Sequence, residues 1–235
     1  MKNYTLIAFT FLCILAFGQG SKPVVLVSGL AVNERNMQPV DVDVRVIYEE
    51  LPSGKEAGIA RINPVDGSYK IILPYGKKYS YRAIAQGYYS VTNFLDLTTL
   101  TEYQEIEEEN LFLAPLLPDQ MVRINNVFFQ GKTAELLPES YIELDRFVEF
   151  LTNNKNIKIE LGAHTDNTGD LQSNMDLSQK RAEVVMAYLI TKKIKAERVV
   201  VKGYGPTRPM GFNNSEEGRA MNNRIEFKVL ALSFK

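Results

Sequence analysis

Hydrophobic and polar positions follow two different periods along the chain, and the change falls near residue 116. Before it, period two prevails. Val24-Val25-Leu26-Val27 reads as a short apolar strand, and Val42–Tyr48 alternates before turning continuous, as a half-buried strand does. Pro52-Ser53-Gly54 marks a turn. Asp66-Gly67 precedes the strand pattern Ser68–Pro74, and Tyr75-Gly76-Lys77 precedes Tyr79–Ala83. This regular strand–turn spacing predicts an all-β sandwich over residues 21–115. Leu116-Leu117-Pro118-Asp119 reads as a boundary, within a linker at residues 116–121.

Residues 122–235 bring in a helical period. Ile124–Phe129 reads as an apolar strand. Pro138 suits the first turn of a helix, and Tyr141, Leu144, Val148 and Leu151 then recur at helical spacing, which predicts one buried face over residues 138–152. Ile157, Ile159 and Leu161 alternate as a strand. Leu177, Ala182, Val185, Tyr188 and Leu189 outline a second amphipathic helix ending near Lys192-Lys193, where cations favour a helix C-terminus. Val199–Lys202 forms a third strand, stopped by Gly203-Tyr204-Gly205-Pro206, and Ile225, Phe227 and Val229 alternate as a last one. The order β-α-β-α-β-β implies an α+β unit with helices on one face of a mixed sheet. The fold class is thus two domains, an N-terminal all-β sandwich and a C-terminal α+β unit.

The N-terminus reads as a secretory signal over residues 1–20. Lys2 supplies a basic start, Leu6–Phe17 is apolar apart from Thr10, and small residues follow at cleavage spacing around Gly18 and Gly20. An uncleaved anchor is the alternative. Lipidation fits poorly, because bulky Leu12 directly precedes Cys13 inside the apolar run. Cleavage would leave 26 basic against 28 acidic residues, a net of −2, and no cysteine. No later segment reads as apolar enough for a transmembrane helix.

The composition narrows the chemistry. A formal charge of −1 gives a nucleic-acid role no support. His164 and Cys13 are the sole residues of their kinds, which disfavours a zinc site and catalytic triads. No cofactor, metal or catalytic residue is expected. His164 reads as a strand-end or loop residue, and Gly203/Gly205 as a turn. The acidic run Glu102–Glu109, with five glutamates, reads as a solvated loop or edge, with cation binding as the alternative. Tyr69, Tyr75, Tyr79, Tyr81, Tyr88 and Tyr89 read mainly as strand packing, with a sugar- or protein-binding face as the alternative.

The most informative stretch is Gly162–Ala182. Asp166 is followed by Asn167-Thr168-Gly169, a natural turn. At a strand's C-terminal edge, its carboxylate either accepts an external ammonium or caps a turn. Arg181 reads as lying early in the second helix, near its buried face. It either forks a ligand carboxylate, a bond of roughly 1.5–3 kcal/mol, or forms a surface ion pair with Asp166 or Asp176, worth roughly 0.2–1 kcal/mol. Periodicity does not decide between these readings.

Thr165-Asp166-Asn167-Thr168-Gly169, Asn174, Leu177-Ser178, Arg181-Ala182, Gly203-Tyr204-Gly205, Pro209, Asn213 and Gly218–Glu226 together resemble the OmpA-like C-terminal domain, over roughly residues 122–230. The resemblance implies that Asp166 pairs with the ammonium, and Arg181 with the carboxylate, of diaminopimelate in the peptidoglycan stem peptide. It also implies that Thr168, Asn174 and the backbone around Leu177 line the pocket, with Arg224 near the same site. Gln130 stands where the family commonly has aspartate, and Asn223 where arginine is common. Neither departure is expected to touch the Asp166/Arg181 pair. The first half, through Ser28-Gly29-Leu30, Gln38-Pro39-Val40, Asp66–Tyr69, Leu73–Gly76 and Ala85–Tyr88, resembles the carboxypeptidase regulatory-like (transthyretin-like) sandwich, which implies a spacer or interaction module.

These readings combine into an expectation. The chain would be a secreted, periplasmic or outer-membrane-associated protein that binds peptidoglycan non-covalently, with an envelope protein as a further partner through the sandwich. Alternatives are the anchoring component of an envelope-spanning secretion or motility complex, a stator-like membrane anchor, and a peptidoglycan-cleaving enzyme. The last would need paired carboxylates or a metal site.

Overall fold

The computed structural model describes residues 24–232, so the expected signal segment, residues 1–20, lies outside the described residues. Nine strands come first: β1 (Val24–Asn33), β2 (Val44–Leu51), β3 (Lys55–Arg61), β4 (Ser68–Pro74), β5 (Lys78–Ala85), β6 (Tyr88–Ser90), β7 (Asn93–Asp96), β8 (Glu105–Ile106) and β9 (Leu111–Pro115). One sheet has the order β4-β1-β9-β6, with β8 pairing β1, and a second has the order β3-β2-β5-β7. Inward residues at period two fill the space between them. They include Val25, Val27, Val46, Tyr48, Leu73, Tyr79, Tyr81, Leu111 and Leu113. β3 escaped the sequence reading because it is a mostly exposed strand with little hydrophobic alternation.

Most of the tyrosines are structural. Tyr48 and Tyr81 stack with centroids 4.9 Å apart, and the Tyr48 and Tyr69 hydroxyls meet at 3.1 Å. One member of the acidic run does not follow the solvated reading. Glu109 turns inward to accept the Tyr81 hydroxyl, whereas Glu102, Glu105, Glu107 and Glu108 stay exposed.

The second half comprises β10 (Met121–Ile124), α1 (Ser140–Asn153), β11 (Ile157–His164), α2 (Leu171–Thr191), β12 (Val199–Gly205), α3 (Glu216–Asn222) and β13 (Ile225–Leu232). Its mixed sheet has the order β10-β13-β11-β12, with β11/β12 parallel and the other pairs antiparallel. Ile157, Ile159, Leu161 and Ala163 face the same core as Leu144, Phe147 and Leu151 of α1 and Ala182, Val185 and Leu189 of α2. Among the described residues no helix is long and apolar enough to cross a membrane.

Several expected elements shift. β10 ends at Ile124, and Asn126 takes a positive φ of 55°, so residues 125–129 leave the sheet instead of forming its strand. Short α3 was not anticipated. β12 runs through Gly203 and Gly205, which are therefore strand positions and not a turn. A Cβ on Gly203 would lie 2.3 Å from the Gln179 amide nitrogen, so glycine lets α2 settle directly on this strand.

α1 departs from its predicted face. Tyr141 is exposed and packs on Tyr188, whereas Glu143, Arg146 and Phe147 are buried. The reason is a second neighbour that the helical period does not reveal. Arg146 donates from Nη2 to Glu49 Oε2 of β2 at 2.6 Å and to Ser80 Oγ of β5 at 2.6 Å, and from Nη1 to Glu143 at 3.0 Å. Arg82 of β5 donates to Glu49 at 2.6 Å and to Glu149 of α1 at 2.6 Å. The Glu49 carboxylate thus lies between two guanidiniums. Burial pushes its pKa up, but these contacts prevail and hold it below the ordinary value. Beside this network, Tyr89 packs edge-on against Phe150 and Phe227, and Asn154 accepts the Gly87 amide at 2.7 Å.

Candidate functional site

The C-terminal end of β11 opens into a cleft between residues 127–139 and the start of α2. Its volume of about 490 Å³ falls within the range of roughly 300–1,000 Å³ usual for small-ligand sites. One wall is the Asp166 loop. The Thr168 amide donates to Asp166 Oδ1 at 2.7 Å, and Asn223 Nδ2 donates to Oδ2 at 2.7 Å. Burial alone would push the Asp166 carboxyl up, but these bonds, with Lys132 nearby, hold it below its ordinary value. The group is therefore an ionised acceptor with lone pairs to spare.

Three anchors fix the loop. Asp170 caps α2 by accepting the Ser173 amide at 2.8 Å. Asn174, buried on the first turns of α2, donates to the Thr168 carbonyl at 3.3 Å. Thr165 and the Gly205 carbonyl join the loop's base to β12 at 3.0 Å.

Arg181 forms the facing wall. It sits midway along α2, and not early in it, because the cap at Asp170 starts the helix well before the hydrophobic stripe does. Its Nε donates to the Thr133 carbonyl at 2.9 Å, one Nη donates to the Gly131 carbonyl at 2.7 Å, and the guanidinium lies 4.7 Å from the Phe129 ring centre. Among the described residues it forms no ion pair, so the surface pair with Asp166 or Asp176 does not occur. Burial lowers its pKa, and the charge of Asp166 opposes that shift. The residue remains a buried cation, oriented by carbonyls and balanced across a gap by a carboxylate. Half-buried Leu177 supplies apolar wall between them.

Arg224 also borders the cleft, but Glu226 holds it. Its Nε donates to Glu226 Oε1 at 2.6 Å, and one Nη donates to the Arg208 carbonyl at 3.1 Å. Glu226 in turn lies 3.1 Å from His164 Nε2, although out of line for a good hydrogen bond. Burial would raise Glu226, but His164 and Arg224 hold it down at about 2. His164 is fully buried and stacks on Tyr204, with centroids 4.9 Å apart. It is a strand-end residue that buttresses the floor.

The structure corrects one expectation at Asn223. Besides its bond to Oδ2, its Oδ1 accepts the Asp166 amide at 3.3 Å, so this departure from the family pattern touches the key carboxylate directly. Gln130 stays outside the cleft lining and instead closes its own turn, accepting from Thr133 N at 3.1 Å. Sequence reasoning missed Lys132. Its Nζ donates to the Thr168 carbonyl at 3.2 Å. Its position in a connection, outside any periodic pattern, gave no signal. Among the described residues, no three His, Cys, Asp or Glu side chains are placed to hold a metal ion.

Residues 128–224 match the model of the OmpA family. The chain is 35% identical over 108 residues to "Probable lipoprotein YiaD" of Escherichia coli, covering 46% of this chain and 49% of that protein. It is 32% identical over 103 residues to "Peptidoglycan-binding protein ArfA" of Mycobacterium tuberculosis, covering 44% and 32%. The chain thus spans half or less of the length of these curated relatives. Among solved structures, the cell wall anchor of the T6SS from Pseudomonas aeruginosa is 31% identical, with 47% of this chain and 79% of that chain covered and a TM-score of 0.42.

Proposed function

With an OmpA-like domain in the C-terminal half of the chain, we propose that this half binds peptidoglycan non-covalently and anchors the protein to the cell wall. The ligand is the zwitterionic end of diaminopimelate in the stem peptide. Its ammonium docks on Asp166 and its carboxylate on Arg181, with Thr168, Asn174 and Leu177 shaping the wall. Arg224 acts indirectly, through Glu226 and the cleft floor. The observation that carries this reading is an ionised carboxylate and a buried guanidinium facing one cleft without neutralising each other by contact. That arrangement complements a ligand bearing both charges, and the name of the mycobacterial relative is consistent with it.

Single contacts of this kind are weak in water, and a polymer of repeated stem peptides supplies avidity. We assign the protein to the periplasmic face of the envelope, with the sandwich, residues 21–115, as spacer or docking module and the wall-binding unit at residues 122–235.

The test is co-sedimentation with purified diaminopimelate-type peptidoglycan, comparing wild type with Asp166→Ala and Arg181→Ala, with free diaminopimelate as competitor. Loss in both variants and displacement by the free amino acid are expected. Equal sedimentation of all three proteins would overturn the assignment.

A further inference from the structure

Lys132 lies between the two residues that hold Arg181. The Gly131 and Thr133 carbonyls both accept from the guanidinium, which fastens this loop over the Arg181 wall. From there the Lys132 side chain crosses to the opposite wall, where its Nζ meets the Thr168 carbonyl at 3.2 Å and rests against Gly169. Lys132 lines the cleft, is exposed, and forms no ion pair among the described residues. Its charge is felt at Asp166. The remaining charged groups of the lining are exposed Glu139 and Arg224, and the latter is already matched by Glu226.

We propose that Lys132 is a specificity-determining residue of this site, forming with Arg181 a two-cation receptor for the carboxylate of a zwitterionic amino-acid end. This rests on the peptidoglycan reading and deepens it. Arg181 has Nε and part of one Nη committed to carbonyls, so it offers a ligand only the remainder of its donors. Lys132 supplies a second donor on the other side of the same space. Its charge also sets a condition for entry. A ligand bringing only an ammonium to Asp166 leaves Lys132 and Arg181 without an anion of the ligand beside them, exposed Glu139 being the other carboxylate of the lining, and the two cations disfavour it. A ligand that carries a carboxylate beside the ammonium satisfies both cations while Asp166 takes the ammonium. Discrimination between the two arises as much from repulsion of the wrong ligand as from attraction of the right one. Amidation of the diamino acid's free carboxylate, which removes one charge and little volume, is therefore the change to which the site responds most strongly.

The experiment is calorimetric titration of the full chain with two synthetic stem peptides, identical except that the side-chain carboxylate of diaminopimelate is free in one and a carboxamide in the other. Wild type is expected to prefer the free acid by tenfold or more. In Lys132→Gln the preference falls several-fold, partly because the amide binds better than it does to wild type, and Lys132→Arg restores it. Since Lys132 is exposed, unchanged melting of the variants is expected. A ratio of affinities in Lys132→Gln equal to that of wild type overturns the proposal. Failure of the underlying reading looks different. In that case Asp166→Ala binds both peptides as wild type does, or wild type binds neither, and the role of Lys132 falls with it.

Discussion

Asn223 grips Asp166 by two edges, with its Oδ1 accepting the Asp166 amide and its Nδ2 donating to the Asp166 carboxylate. The side chain therefore sets both the position and the charge of the group proposed to take the ligand's ammonium. Asn223→Ala should raise the Asp166 pKa, because the burial that opposes ionisation remains while a stabilising bond is lost. Binding to peptidoglycan should weaken by about threefold to tenfold, the bond being solvent-exposed. A carboxyl-carbon NMR titration reads the first effect, and co-sedimentation reads the second. An unmoved Asp166 titration would deny Asn223 this role.

Arg181→Lys should fail almost as completely as Arg181→Ala. A lysine cannot reach the Thr133 and Gly131 carbonyls together and still face a ligand, since it lacks the planar fork. At least a tenfold loss of binding is expected, with loosening of residues 131–133. Retention of near wild-type affinity by the lysine variant would show that charge alone suffices.

Glu49→Ala should lower stability by about 3–5 kcal/mol, the range for removing one partner of a buried ion pair. Arg82 and Arg146 would keep their burial and lose their shared anion. Chemical denaturation measures this directly. A loss below about 1 kcal/mol would mean that water already solvates the network.

Acid should destabilise the floor of the cleft through Glu226. Its pKa in the folded protein, about 2, lies below the ordinary 4.5. The stability it contributes is present above about 4.5 and is lost as pH falls through about 2. Glu226→Gln should flatten that part of the denaturation-midpoint profile. Identical acid limbs for variant and wild type would show that the carboxylate does not gain from Arg224 and His164.

Gly203→Ala should reduce both stability and binding. The new methyl would strike the Gln179 backbone and push away the helix that carries Asn174 and Arg181. Overpacking of this kind costs about 1–3 kcal/mol. Thermal melting and co-sedimentation should fall together, and a variant that melts normally would mean that α2 is free to shift.

What the sequence revealed depended on whether a residue's partner was near in the pattern. Alternation at Ile157, Ile159 and Leu161, and the stripe through Ala182, Val185 and Leu189, located β11 and α2 because each faces a single core. The same logic failed on α1, where Glu143 and Arg146 look like surface residues until β2 and β5 are placed beside them. Asp166 and Arg181 were legible as a candidate pair through their motif. The contacts of Asn223 and Lys132 with that loop were not, because their partners lie 57 and 36 residues away in sequence.

The Glu49 network has a practical consequence for anyone who dissects this chain. A cut within residues 116–121 follows the boundary read from the sequence, yet it separates Arg146 and Glu149 from Glu49 and Arg82, and Phe150 from Tyr89. Each fragment would then carry a raw face of unmatched charge and bare aromatic rings. Leu116 itself belongs to the second core and hydrogen-bonds to Gly87 in the first half. Fragments made this way would report on the wound as much as on the module, and the intact chain is the proper unit for every measurement above.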